Sequence, residues 1–321
     1  MSRTAGGPYG LASIAGSSAF SHTGLPRDRT YYYVVTSIDR TGNESARSNE
    51  AHVVLGLSLP LPYGQATAGG GRPCPPGGVA GTTCSGLLVA CPSVSGASAT
   101  LGITRPAPAA LNRGTIVLTT GGDGTNFRDS PLAPAMISTF VGDGLVVVQL
   151  AWEPPGIWGG PRARTLACRY ATAAKWIYDN IHSGGRSTLF AAQGTSGGAA
   201  QIAFGLGYYG LRDFVDLANL GGGPPNCPLC SSDGQNLFEP LLPVSPGSGS
   251  DPRLNYPSTV ARFFLGDRDP NHDGTADSAR AYYGAITSSK SFTTVVNTEH
   301  VIESSQAGVD AFVAAVRAAL K

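Results

Sequence analysis

Residues 188–200 read Thr-Leu-Phe-Ala-Ala-Gln-Gly-Thr-Ser-Gly-Gly-Ala-Ala, an apolar strand that runs through Gly-x-Ser-x-Gly into small residues opening a helix. That order suits nucleophilic chemistry. A serine that attacks a carbonyl must stand on a sharp strand-to-helix turn, so that its hydroxyl projects above the sheet. The residues two before and two after it must then be nearly free of side chain. Gly194 and Gly198 hold those two positions around Ser196. The helix that follows, marked by Gln201, Ile202, Phe204 and Leu206, directs its positive end at the serine, and the amide of Gly197 is placed to bind an oxyanion. In a chain with 44 glycines the same pattern also arises as a plain structural turn. The strand before it and the helix after it separate the two readings.

A serine hydroxyl at neutral pH needs a histidine base, and the histidine needs a carboxylate to fix its tautomer. Only His272 and His300 follow Ser196; His22, His52 and His182 precede it. His300 comes just after a strand expected over 292–297 and shortly before the last helix, at a carboxyl end where catalytic side chains gather. His272 lies in a polar loop beside Asp269 and Asp273, the setting of a solvated histidine. For the acid, the strand ending at Leu265 runs into Gly266-Asp267-Arg268-Asp269-Pro270, which puts two carboxylates at one strand end; Asp216 stands one strand earlier as a third choice.

From about residue 85 to 321 these features resemble the α/β-hydrolase superfamily. The resemblance implies a mainly parallel sheet with helices on both faces, and a triad in the chain order serine, acid, histidine. In that superfamily the acid commonly stands three residues after such a glycine and before a proline, which selects Asp269 over Asp267. A second oxyanion amide is expected from the loop after strand 115–120. There Thr120-Gly121-Gly122-Asp123 replaces the family's His-Gly sequence, with Gly122 or its neighbour Asp123 as donor. The catalytic set implied is therefore Ser196, Asp269 and His300, with the amides of Gly197 and Gly122 and no cofactor. Trp152, Trp158 and Phe127 follow strand ends on the same side and either line an aromatic or acyl pocket or pack the rim.

Residues 269–277 also resemble the start of a calcium loop of the EF-hand or dockerin kind, through Asp269, Asn271, Asp273, Thr275 and Asp277. The twelfth position is Arg280, where a bidentate carboxylate is required, and no helix precedes the loop. Were calcium bound there, Asp269 would be a ligand and Asp267 the better acid.

Composition narrows the partners. A formal charge of +1, with 22 basic residues spread over 321, argues against nucleic acid or an anionic membrane. No apolar run reaches the roughly 18 residues of a membrane span. Met1-Ser2-Arg3-Thr4 opens no signal peptide, so either a leader has been removed or the chain begins inside a longer protein. Cys74, Cys84 and Cys91 sit in a Gly/Pro/Ser-rich stretch like those of secreted proteins, and disulfides are expected, with an extracellular setting. Cys168 lies within a helix as a candidate free thiol. Cys227-Pro228-Leu229-Cys230 is half a zinc site with no second half, set among prolines. The pairing does not follow from spacing.

Three segments are expected. Residues 1–55 hold two alternating β-runs around Thr41-Gly42-Asn43 and resemble the last strands of a fibronectin type III module. Residues 56–84 read as a Gly/Pro-rich linker. Residues 85–321 read as the catalytic domain, with strands at 87–90, 99–104, 115–120, 145–152, 188–195, 214–220, 260–265 and 292–297, and helices at 164–181, after Ser196, and at the end of the chain. The long segment 221–259, rich in proline and carrying Leu229, Leu237, Phe238, Leu241 and Leu242, is expected to wall a hydrophobic cleft or to cover the sheet edge. Together these features point to acyl transfer to water from an ester substrate. Polymeric esters are included by resemblance to extracellular depolymerases and cutinase-like enzymes. A serine peptidase on the same scaffold and a noncatalytic binding protein are the alternatives.

Overall fold

A computed structural model describes the chain except residues 18, 24, 26–28, 56–58, 108–111, 128, 129, 161, 162, 225–251, 271–273 and 321. It divides into two units, Met1–Leu59 and Pro60–Lys321.

In the first unit, β1 (Arg29–Tyr33) pairs antiparallel with β2 (Ala51–Leu55). The expected turn forms between them. Asp39 Oδ1 accepts the amides of Thr41 at 2.8 Å and Asn43 at 2.9 Å, and Gly42 takes the left-handed φ of +92° that the reversal needs. These hydrogen bonds, with those from the Asn43 and Thr41 side chains, hold the Asp39 carboxyl far below the usual carboxylate range.

The second unit is built on one nine-stranded sheet, ordered β11-β10-β9-β8-β6-β7-β5-β4-β3. Its strands are β3 (Gln65–Gly71), β4 (Thr83–Ala90), β5 (Ala97–Thr104), β6 (Gly114–Thr119), β7 (Leu145–Trp152), β8 (Leu189–Thr195), β9 (Leu217–Gly221), β10 (Val260–Gly266) and β11 (Lys290–Val295). From β7 to β11 all neighbours are parallel; β3, β4 and β5 extend the sheet antiparallel beyond β7. β6, β7, β8 and β9 are buried along their whole length, as the uninterrupted apolar runs of a sheet covered on both faces demand. Residues 65–71, read as linker, are the edge strand. Their Gln-Ala-Thr-Ala-Gly-Gly-Gly sequence lacks β-branched alternation because an exposed edge has no core face to fill.

Among the described residues there are five α-helices, α1 (Ala133–Gly142), α2 (Ala163–Asn180), α3 (Gly197–Tyr209), α4 (Thr275–Ala285) and α5 (Gln306–Ala319), the last of them after β11. α1 and α5 cover one face, where Met136, Ile137, Phe140, Val309, Phe312 and Val316 form a single core with Ile116, Leu118 and Ala191. α5 places Val309, Phe312, Val313 and Val316 on one stripe and begins at Ser305, whose Oγ accepts the amide of Gly308 at 2.9 Å. On the other side α2 packs on α3, and every residue of α3 is buried. Neither α1 nor α4 was expected. Pro134 at the start of α1 looks like a breaker but occupies a first-turn position where no amide donor is needed. The calcium-like polar pattern masks the start of α4. The strand expected over 214–220 starts later, at Leu217, after a 3-10 turn at Leu211–Asp213.

Disulfides join Cys74 to Cys84 and Cys91 to Cys168. Cys168 is therefore not the free thiol that its place in a helix suggested: the end of β4 passes close enough to α2 for Cys91 to reach it, with the two Cα atoms 6.1 Å apart. Cys227 and Cys230 lie outside the described residues, as does most of segment 221–259.

Candidate active site

The serine turn has the backbone its sequence demands. Ser196 takes φ 54° and ψ −117° between β8 and α3, a conformation that costs a non-glycine residue about 1–3 kcal/mol. A Cβ on Gly194 would fall 2.5 Å from Thr119 Oγ1 and 2.6 Å from the Gly198 carbonyl carbon, so strand and helix close on each other only because both positions are glycine. The Ser196 amide donates to the Gly221 carbonyl at 2.8 Å, which fastens the turn to the end of β9.

His300 lies against that same strand end. A Cβ on Gly222 would lie 2.3 Å from the His300 carbonyl oxygen and 3.2 Å from its Nδ1, so the histidine rests against the Gly222 backbone. The Gly222 amide in turn donates to Phe264 of β10 at 2.9 Å. Ser196 and His300 thus flank the Gly221–Gly222 peptide.

Between the two candidate acids, geometry separates the roles. Asp269 Oδ2 lies 3.0 Å from His300 Nδ1, and its side chain is only 2% exposed against 17% for the histidine. Asp267 is exposed and accepts the Thr298 amide at 3.1 Å. Backbone donors at Thr298 and Asn297 hold its carboxyl below the ordinary range. It stitches the 266–269 turn to the loop carrying His300, and Arg268 adds a hydrogen bond from its amide to the Thr298 carbonyl at 2.9 Å. Asp216, the third choice, sits at the opposite end of the sheet: its Oδ2 accepts the amide of Phe190, near the start of β8, and its Oδ1 pairs with Arg186.

Gly197 and Gly122 come together. A Cβ on Gly197 would lie 2.3 Å from the Gly122 carbonyl oxygen and 3.0 Å from its nitrogen. Gly122 itself adopts φ +55°. Three hydrogen bonds brace the loop 121–124: Trp152 N to Gly124 O at 2.8 Å, Ile157 N to Asp123 O at 3.0 Å, and Trp158 Nε1 to Gly122 O at 3.1 Å. Behind them the buried Arg169 of α2 donates to the carbonyls of Ile157 at 2.7 Å and Ser95 at 3.0 Å, and burial lowers its guanidinium pKa.

The three aromatic residues read as pocket walls are placed in the packing beneath the site. Trp152 is 2% exposed, with Nε1 on Gln201 Oε1; Phe127 packs with Cys84 and Ala151; Trp158 stacks edge-on to Phe204. Trp152 closes β7, while Phe127 and Trp158 lie in the loops after β6 and β7; Trp152 and Phe127 pack close to glycines, and Phe127 also lines the small cavity shared by Thr119, Gln193 and Glu303. A Cβ on Gly124 would lie 3.0 Å from Trp152, and one on Gly102 would lie 2.6 Å from Phe127.

Of the calcium-like residues, Asp269 is engaged by His300, and Asp277, in the first turn of α4, pairs with Arg280 at 3.2 Å. Asn271, His272 and Asp273 lie outside the described residues. Among the described residues no three His, Cys, Asp or Glu side chains converge in a metal-binding cluster. None has a helix long and apolar enough to cross a membrane.

No family model matches the chain, and no curated protein sequence matches it. Among solved structures it is similar to the PEG-bound complex of a cold-adapted esterase from an Arctic intertidal metagenomic library, with a TM-score of 0.50, 14% identity, and coverage of 75% of this chain and 96% of that one. It is likewise similar to a variant of esterase rPPE, with a TM-score of 0.50, 15% identity, and coverage of 75% and 84%. A dienelactone hydrolase from Anabaena variabilis aligns over 75% of this chain and all of its own length, at 13% identity and a TM-score of 0.48. At such identities the likeness is one of architecture: the second unit has the α/β-hydrolase fold, a mainly parallel sheet with helices on both faces.

Proposed function

We propose that the protein is a serine carboxylic-ester hydrolase. The observation that carries this reading is the Asp269–His300 hydrogen bond of 3.0 Å, set across one strand end from the strained Ser196 turn. With Nδ1–H held by the carboxylate, Nε2 carries the basic lone pair. His300 takes the Ser196 proton as Oγ adds to the ester carbonyl, and the amides of Gly197 and Gly122 receive the oxyanion at the positive end of α3. The tetrahedral adduct collapses to an acyl-enzyme as His300 protonates the departing alcohol. Water, deprotonated by the same histidine, then releases the acid. Asp269 keeps the imidazole in its tautomer and balances the imidazolium.

An extracellular setting and polymeric ester substrates extend the proposal. The two disulfides support the former. The latter rests on resemblance to extracellular depolymerases, which in turn draws on the fibronectin-like pattern of the hairpin in the first unit.

A fluorophosphonate probe tests the chemistry directly. The parent protein is expected to label on Ser196 and to hydrolyse p-nitrophenyl esters, and Ser196→Ala is expected to lose both while remaining folded. A parent that neither labels nor turns over esters rejects the proposal. Comparing ester, anilide and polyester-film substrates then separates esterase from peptidase and polymer from small-molecule preference.

A further inference from the structure

A carboxyl group buried beside a nucleophile needs a physical reason, since withdrawing it from water is costly unless a hydrogen bond compensates. Glu303 is such a group. It is 7% exposed, lies in the 3-10 turn Ile302–Ser304 between His300 and α5, and comes three residues after His300. Its Oε2 accepts a hydrogen bond from Thr195 Oγ1 at 2.7 Å, and Thr195 is the residue immediately before Ser196. Its backbone carbonyl accepts Ser130 Oγ at 2.6 Å, which anchors the turn ahead of α1. Thr195 is itself buried. Its hydroxyl lies against Gly221, where a Cβ would come within 2.9 Å of it, and Gly221 is the residue whose carbonyl holds the Ser196 amide. On its other side Glu303 borders a small cavity with Thr119, Thr120, Gln193 and Thr195, directly behind the serine turn.

We infer that Glu303 is a positioning residue of this site. Its carboxyl group, held by Thr195 Oγ1, ties the loop that carries the base to the strand end that carries the nucleophile. The inference rests on the esterase reading given above. His300 otherwise reaches the site beside Gly222, on a loop attached through Thr298 to Asp267 and through His300 itself to Asp269. The Thr195–Glu303 bond is a direct side-chain link between the two segments, and it fixes their spacing one residue from Ser196 and three from His300. A short hydroxyl-to-carboxylate bond in a buried setting is among the more rigid links a side chain can make.

The test uses the full chain and five variants, with circular dichroism and thermal melting as fold controls. Glu303→Ala and Thr195→Val both remove the bond, the latter at nearly constant shape. Each is expected to lower kcat and the fluorophosphonate labelling rate about 10- to 100-fold with KM within about twofold, because substrate binding is untouched while the reacting groups lose register. Glu303→Gln and Thr195→Ser preserve an acceptor and a donor, and are expected to stay within about threefold of the parent. The double variant Glu303→Ala/Thr195→Val is expected to lose no more than either single change. A folded Thr195→Val protein with parental kcat, or a Glu303→Gln protein as impaired as Glu303→Ala, overturns the assignment. A parent protein that neither labels nor hydrolyses esters overturns the esterase reading instead, so the two failures are distinct.

Discussion

The indole N–H of Trp158 donates to the carbonyl oxygen of Gly122 at 3.1 Å, so a side chain 36 residues further along the chain fastens the Gly122–Asp123 peptide, the unit next to the Gly122 amide proposed to receive the oxyanion. Arg169 holds the loop bearing Trp158 from behind through Ile157. An oxyanion amide contributes only if it is aimed before the charge develops, and this tether steadies the residue that carries it.

Replacing Trp158 by Phe keeps an aromatic ring against Phe204 and removes only the donor. A buried hydrogen bond of this kind is worth about 1 kcal/mol, which corresponds to roughly a fivefold loss of kcat with little change in KM. Steady-state kinetics on a p-nitrophenyl ester would check this; a parental kcat in a folded variant would show that Trp158 serves packing alone.

Asp269 and Asp267 should separate cleanly. Asp269→Asn is expected to reduce kcat about a thousandfold, as loss of the carboxylate disturbs the imidazole tautomer. Asp267→Asn should stay within about fivefold, because its contact is with the Thr298 backbone and not with the ring. The reverse ranking in parallel assays would move the acid to Asp267.

The same Asp267 predicts a pH effect on stability. Its folded pKa is depressed by backbone donors at Thr298 and Asn297, so the carboxylate binds protons less readily in the folded state than in the unfolded one. The stabilisation it contributes is complete above the unfolded value near pH 4 and is lost as pH falls through the lower folded value. Thermal melts of the parent and Asp267→Asn should differ at pH 6 and converge in acid; a gap that widens below pH 4 would contradict the assignment.

For the disulfides, Cys91–Cys168 closes a separation of 77 residues and Cys74–Cys84 one of 10. The chain-entropy account gives about 4.5 kcal/mol for the long loop and about 2.7 kcal/mol for the short one. The paired replacement Cys91→Ala/Cys168→Ala should therefore lower Tm more than Cys74→Ala/Cys84→Ala, with fluorophosphonate labelling retained in both. Calorimetry of the two variants checks the order.

Much of this arrangement can be read before any coordinates, and the reasons are local. β6, β7 and β8 are mostly apolar over their length, with Gln149 and Gln193 as polar interruptions, and the glycines at 194, 197 and 198 leave the room that the Ser196 turn needs. The pairing of His300 with Asp269 follows once parallel strands bring their carboxyl ends together. What escapes the sequence depends on long-range contact. β3 is defined only by lying against β4, and α1 presents apolar residues with no polar stripe to set its period. Trp158 carries the signal of an aromatic pocket residue, yet its indole is spent on a carbonyl, a use that spacing cannot reveal. Glu303 carries no local mark, since an acidic residue before a capped helix reads as surface until Thr195 is found against it.

His300 rests on the Gly222 main chain, and that main chain is hydrogen-bonded to Phe264 of the next strand. Side chains hop among rotamers and carry that looseness into whatever they support, whereas a peptide locked between strands moves only when the sheet moves. The proposed proton acceptor therefore inherits its placement from the ladder itself. Substitutions across the surrounding surface can reshape what enters the site and leave the distance over which the proton travels as it was.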